Sequence, residues 1–184
     1  MPIEGDISEE VSVVHQPGVD ASVMKRVNFF RGDACALSDY ADNKQGFGTF
    51  DGVIMANLLC RLPDPMKALN SLQLIVNKGG VVVIVTPFTW LESKFEVIRS
   101  SRFHFLCPLT LHCLFQEYTP RDKWLGGYPD HELGTSMYSK NRLKEIMEGI
   151  GFEHIHEEQM PLVIREHRRK YQYIVSEASG WRKK

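Results

Sequence analysis

The sequence predicts an α/β domain built on a parallel βαβ unit, and three observations carry that reading. Residues 81 to 85 read VVVIV, an unbroken β-branched run of the kind found in parallel strands covered on both faces. Residues 51 to 56, DGVIMA, give a second apolar strand that stops at Asn57. Between them Met66, Leu69, Leu72, Ile75 and Val76 recur at helical spacing, so strand, helix and strand follow one another as a βαβ unit. At 184 residues, with 43% hydrophobic and 24% charged, the chain has the material for one domain with a sizeable core.

Taken in order, residues 1 to 26 mix acids with Pro17 and Gly18 without a sustained period and read as a linker or partial helix. Val27, Phe29 and Phe30, stopped by Gly32-Asp33, predict a strand, and the polar stretch from Ser38 to Thr49 predicts a loop. Asp51 to Ala56 is the next strand. Asp64 then caps a helix with Pro65 at its first position, where a missing N–H costs nothing. Lys78 lies near the negative end of that helix, and Gly79-Gly80 terminate it. Ser139 precedes a second helix with Leu143, Ile146, Met147 and Ile150 on one face, ended by Gly151. FEHIHEE and YQYIVSEA read as strands, PLVIRE between them as irregular, and HRRK as a charged turn.

Charge and composition narrow the function. The chain has 22 Lys plus Arg against 23 Asp plus Glu, interspersed, which gives no basic footprint for nucleic acid or an anionic membrane. A small-molecule partner is expected. MPIEGDISEE carries no apolar signal segment, which predicts a cytoplasmic protein. Cys35, Cys60, Cys107 and Cys113 form no C-x-x-C pair, so reduced thiols are expected. FLCPLTLHCLF is too short to span a bilayer and contains Pro108 and His112. His154 and His156 share a strand face but lack a third ligand at a recognisable spacing, so no metal site is predicted. The glycines of GFGTFDG precede a strand, whereas a phosphate-cradling loop follows one.

Ligands of open parallel sheets gather beyond the carboxyl ends of the strands. Two such ends are polar here, at Gly32-Asp33 and at Asn57. An Asp there can accept from an exocyclic amine of adenine, and an Asn offers both a donor and an acceptor. Both residue types also end strands simply as turn formers.

RGDACAL, FDGVIMANLLCRLPDP, VVVIVTPFTWLE, EYTPRDKWLGGY and MPLVIREHRRKYQYIVSEASGWRK together resemble the methyltransferase domain of the ovothiol-biosynthesis enzymes, the 4-mercaptohistidine N-methyltransferases. The resemblance runs from about Arg26 to Arg182. It implies a Rossmann-like class I fold over residues 27 to 184, S-adenosylmethionine as cofactor, and methylation of the imidazole of 5-thiohistidine. By the same resemblance Gly32, Asp33 and Ala34 would hold the adenine, and Asn57 with Leu58 the methionine side of the cofactor. Tyr118, Lys123, Trp124 and Arg165 would face the substrate, with His167 or Glu166 as base if the attacking nitrogen carries a proton. Arg165 would pair a carboxylate, and Trp124 would cover the imidazole. A solvated hairpin turn is the plain alternative for residues 165 to 170. Relatives place an iron-dependent sulfoxide synthase region upstream, a candidate partner.

The sequence departs from that family in two respects. The glycine-rich loop after the first strand and the acidic end of the second strand are not found, so the resemblance predicts an incomplete sheet lacking the first two strands. In the family's order the missing first strand lies beside the one ending at Asn57, which leaves an open edge for a partner to cover. Residues 93 to 116, SKFEVIRSSRFHFLCPLTLHCLF and Gln116, are an atypical insertion that reads as an unspliced coding segment and would push Lys123 and Trp124 away from the strand that positions them. The rival reading is a noncatalytic remnant or partner-binding α/β domain that uses its open edge for strand addition. A nicotinamide enzyme ranks lower, because no glycine fingerprint supports it.

Overall fold

The computed structural model describes residues 2–4, 7–8, 20–41, 48–90, 119–167 and 169–184. The chain divides into two units, one of residues 1–32 and 161–174, the other of residues 33–160 and 175–184. In the first, β1 (Pro2–Glu4) pairs antiparallel with β2 (Ile7–Ser8), and α1 (Ala21–Met24) is a single turn. In the second, α2 (Ser38–Ala41) is a single turn inside the stretch expected to be a loop.

The βαβ unit is present. Strand β3 (Phe50–Ala56) leads through a 3-10 turn at Leu59–Arg61 to α3 (Pro65–Ile75), and β4 (Val76–Thr86) returns parallel to β3. Met55 stands opposite Ile84 and Ile54 opposite Val83. Asp64 caps α3 as its sequence predicts: Lys67 N–H donates to its carboxylate at 3.4 Å, and Pro65 takes the first helical position. Ala68, Leu69, Leu72 and Ile75 then bury one helical face against Met55, Val82 and Ile84. Each Leu, Ile, Val or Met side chain so removed from water contributes roughly 1.5–3 kcal/mol. On the other sheet face Ile54 remains 74% exposed.

Helix α3 stops at Ile75, ahead of the expected Gly79-Gly80. The cap comes from far along the chain: Lys183 Nζ donates to the carbonyls of Gln73 and Val76, both at 2.6 Å. Carbonyls of a last helical turn need such a partner, and a lysine there also suits the helix dipole. The two glycines instead serve an irregularity in the β3–β4 register, with Gly79 at φ 77° and Asn77 donating to Asp51 at 2.8 Å.

Helix α4 (Ser139–Gly149) follows the short antiparallel pair β5 (Tyr128–Asp130) and β6 (Thr135–Met137) and buries Leu143, Ile146 and Met147. Gly151, at φ 89°, ends it as expected. Strands β7 (Phe152–His167) and β8 (Lys170–Lys183) complete a sheet of order β3-β4-β8-β7, with β8 antiparallel to β4.

Two further expectations are corrected. PLVIRE is not irregular but part of β7; Pro161 is tolerated because β7 is an edge of the sheet. Val27–Phe30 form no strand, and Phe29 is 92% exposed. A strand needs a ladder neighbour for its backbone groups. The insertion at 93–116 lies outside the described residues.

Candidate functional site

Both parallel strands end in a residue with left-handed backbone. Asn57, directly after β3, has φ 51°, and Phe88, two residues after β4, has φ 50°. Asn visits this region more readily than most residues, whereas a bulky aromatic there is an outlier that the surroundings must hold in place. Asn57 N–H extends the ladder to Val85 carbonyl at 2.7 Å, and Ser176 Oγ, wholly buried on β8, donates to Asn57 Oδ1 at 3.3 Å. Phe88 N–H donates to the buried Thr86 Oγ1 at 3.2 Å. The carboxamide of Asn57 is thereby oriented, with its oxygen toward the sheet.

Asp33 opens a 3-10 turn, Ala34–Ala36, and its carboxylate accepts from Cys35 N–H at 2.8 Å. Cys35 Sγ donates to Asp64 carbonyl at 3.4 Å, so this turn sits against the start of α3. Partial burial raises the Cys35 thiol pKa above its ordinary value, which keeps it protonated. Asn57 opens the connection from β3 to α3, and the turn begun by Asp33 reaches its far end.

Beyond Asp64 lies a hollow of about 470 Å³. Met66, Leu125, Trp124 and Tyr128 give it an apolar wall, and Asp64, Lys67, Asn70, Asp122, Lys123 and Arg142 give it polar groups. The WLGGY stretch builds one side. A Cβ on Gly126 would stand 2.5 Å from Ser139 N, so only glycine lets this segment approach the start of α4. Gly127, at φ 88°, donates to Met137 carbonyl at 2.7 Å.

Trp124 was expected to be carried away by the insertion, and the structure overturns this. Its indole stacks on Trp90 at 6.3 Å and 23°, its Nε1 donates to Thr119 carbonyl at 2.9 Å, and Thr119 Oγ1, fully buried, donates to Leu62 carbonyl at 2.6 Å. Trp90 Nε1 in turn donates to Ser139 Oγ at 2.7 Å. Aromatic stacking and these bonds tie the segment to the chain leaving β4 whatever lies between them in sequence. The Arg121 guanidinium also lies 5.8 Å from the Trp124 ring centroid. Lys123 pairs with Asp64 at 3.5 Å.

A second hollow, of about 160 Å³, is lined by Phe88, Leu143, His154, Trp181 and the ion-pair group of Lys140, Glu157 and Glu177. Hydrogen bonds to Glu157 and Glu177 raise the Lys140 pKa, and the bond from Lys140 lowers that of Glu157.

Arg165, Glu166 and His167 end β7 in the other unit. Glu166 is bonded by Lys170 and Gln172, and the Lys170 hydrogen bond holds its pKa below the ordinary carboxylate value. His167 Nδ1 accepts from Arg169 N–H at 3.3 Å. Tyr118 lies outside the described residues. Among the described residues no group of three or more His, Cys, Asp or Glu could hold a metal, and no helix is long and apolar enough to cross a membrane.

Sequence reasoning singled out Lys123 and Trp124 but missed Lys67, Asp122, Tyr128 and Arg142 around the same hollow. A signal was there to read. Lys67 and Arg142 stand in the first turns of α3 and α4, which carry no acidic residue, although the helix dipole disfavours cations at that end.

A family model described as a methyltransferase domain matches residues 9–157. No curated protein matches the chain. Among solved structures, a SAM-dependent methyltransferase from Methanosarcina mazei is 16% identical, with 73% of this chain and 59% of that one covered and a TM-score of 0.40. A protein solved in work on conversion of a disulfide bond into a thioacetal group during echinomycin biosynthesis is 14% identical, with coverage of 83% and 53% and a TM-score of 0.43. The YcgJ protein from Bacillus subtilis is 8% identical, with coverage of 74% and 64% and a TM-score of 0.33. The chain spans 53–64% of the length of these three. With the family model matched over most of its length, this chain belongs to the methyltransferase-domain family.

Proposed function

We propose that the chain acts in S-adenosylmethionine-dependent methyl transfer to an imidazole nitrogen of 5-thiohistidine. The observation that carries this reading is Asn57: a polar residue held at φ 51° where a parallel strand leaves the sheet, its carboxamide oxygen engaged by buried Ser176. Asn adopts this backbone readily, and the bond from Ser176 is what fixes its carboxamide. In this reading Asn57 and Leu58 border the methionine part of the cofactor, and Gly32, Asp33 and Ala34 its adenine. The Asp33 carboxylate already accepts one backbone bond and has capacity for a second donor, such as an adenine amine.

The cofactor supplies an activated methyl group; the protein's task is alignment and exclusion of water. A neutral imidazole with a free lone pair needs no base. Glu166, held ionised by Lys170, and His167 are assigned a role only for a protonated acceptor nitrogen. Lys123 and Trp124 border the substrate hollow in this reading.

Calorimetric titration with S-adenosylhomocysteine tests the cofactor half of the reading. Binding is expected, weakened by about 1–3 kcal/mol in Asp33→Ala. No binding by the unaltered chain would overturn it. Methyl transfer to 5-thiohistidine, compared with histidine and simple thiols, tests the substrate.

A further inference from the structure

Ser176 is wholly buried on β8, where an alanine would fill nearly the same space without a polar group to satisfy. Ala178, two residues on and on the same face of the strand, is buried in that way. Glu177 and Ser179 alternate with these two and line the smaller hollow on the other face of the sheet. Ser176 is therefore no part of the Lys140 group. Its hydroxyl bonds the carboxamide oxygen of Asn57, 119 residues earlier, so the contact joins the two strands that flank β4.

That bond has a chemical sign. A carboxamide carries an acceptor oxygen and a nitrogen with two donor protons, and with nothing to hold it the group presents either end. Ser176 removes the choice. Asn57 is an exposed residue whose Oδ1 is taken up by a buried hydroxyl, which leaves Nδ2 as the end for a ligand. The carboxyl end of β3 thus offers donors. They match a carboxylate or hydroxyl oxygen and have nothing to give an ammonium group.

We propose that Ser176 is a positioning residue that sets the polarity of Asn57 and makes the end of β3 a reader of the cofactor's carboxylate. The inference deepens the methyltransferase reading and rests on it. That reading puts Asn57 beside the methionine part of the cofactor, which ends in one carboxylate and one ammonium. The bond from Ser176 decides which of the two is recognised.

The test is calorimetric titration of the full chain with three nucleosides: S-adenosylhomocysteine, its decarboxylated analogue, which keeps the amine, and 5′-methylthioadenosine, which lacks the amino-acid part altogether. S-adenosylhomocysteine should bind roughly tenfold more tightly than the decarboxylated analogue, the gain expected of a hydrogen bond to a charged group. Ser176→Ala should weaken S-adenosylhomocysteine roughly three- to tenfold, the worth of an ordinary hydrogen bond, and leave the other two unchanged. Ser176→Thr, which keeps the hydroxyl, should restore the preference. Asn57→Asp, at an exposed position, puts an acceptor where the amide nitrogen stands and should reverse the preference in favour of the decarboxylated analogue, whether or not Ser176→Ala folds. Equal affinity for S-adenosylhomocysteine and the decarboxylated analogue, an equal loss of all three nucleosides in Ser176→Ala, or an unaltered preference in Asn57→Asp would overturn the proposal. In each of those cases the cofactor binds, and the methyltransferase reading stands. Failure of all three nucleosides to bind the unaltered chain overturns that reading and this inference with it.

Discussion

The two hollows make opposite use of charge. In the smaller, Lys140 lies between Glu157 and Glu177, and Trp181, 2% exposed, forms a wall with its Nε1 bonded to Ser179 Oγ at 2.9 Å. Its charges answer one another. In the larger, only Lys123 and Asp64 pair across the rim, while Lys67, Arg142 and Asp122 line it from α3, α4 and the segment before β5. A cavity whose charges satisfy each other holds elements together. In the larger the charges come from separate elements, and Arg142 pairs outward with Glu145 on its own helix.

Trp181→Ala should produce the largest effect. The side chain is buried against the core and lies 4.8 Å, centroid to centroid, from His154, so its removal should cost about 3–5 kcal/mol in urea unfolding. A loss below about 1 kcal/mol would mean that the smaller hollow is not structural.

Thr119→Val comes next. It deletes a fully buried hydroxyl and strands the Leu62 carbonyl, at a cost of about 1–3 kcal/mol. The backbone carbonyl that accepts from Trp124 Nε1 is kept in this variant, so a loss well below about 1 kcal/mol in urea unfolding would show that the hydroxyl is not what holds the segment.

Lys140→Met should cost no more than about 1 kcal/mol, since its side chain is 46% exposed and its pairs are screened. A loss of several kcal/mol would show a buried network in place of screened surface pairs and erase the contrast between the hollows.

The smallest effect is on pH dependence, followed by thermal melts. Glu157, its pKa depressed by Lys140, contributes stability above the ordinary carboxylate value of about 4.3 that is lost as pH falls through the depressed one. Lys140, its pKa raised by Glu157 and Glu177, contributes below the ordinary lysine value of about 10.4 and loses that contribution as pH rises through the raised one. A plateau between about pH 5 and 10 with slight losses outside it is expected, and Lys140→Met should flatten both limbs. His154, 3.8 Å from Glu157, and Lys144 also face this group. An unchanged profile in Lys140→Met would show that the Lys140 group does not set the limbs.

Much of the α/β framework was legible because its signals are local. Asp64-Pro65 started α3, the VVVIV run marked β4, and Gly151 closed α4, each through cap or side-chain chemistry within a few residues. What misled was equally local. Val27, Phe29 and Phe30 have strand-forming side chains, yet no ladder partner fixes them. PLVIRE looked broken at Pro161, yet an edge position accommodates a residue with no N–H to donate. The candidate site was half legible: Trp124 and Lys123 stood out as residue types, whereas Arg142 and Lys67 were ordinary helix cations until two helices brought them to one hollow.

The sequence by itself determined which segments bury an apolar face and which strand ends carry polar side chains, because periodicity and capping act over a turn or two of chain. Only tertiary structure decided that Lys183 would close α3 from 107 residues away, that Ser176 would orient Asn57 from 119 away, and that Trp90 and Trp124 would stack. Those contacts depend on sheet order and packing, and no pattern within a single segment encodes what a neighbouring element will present to it.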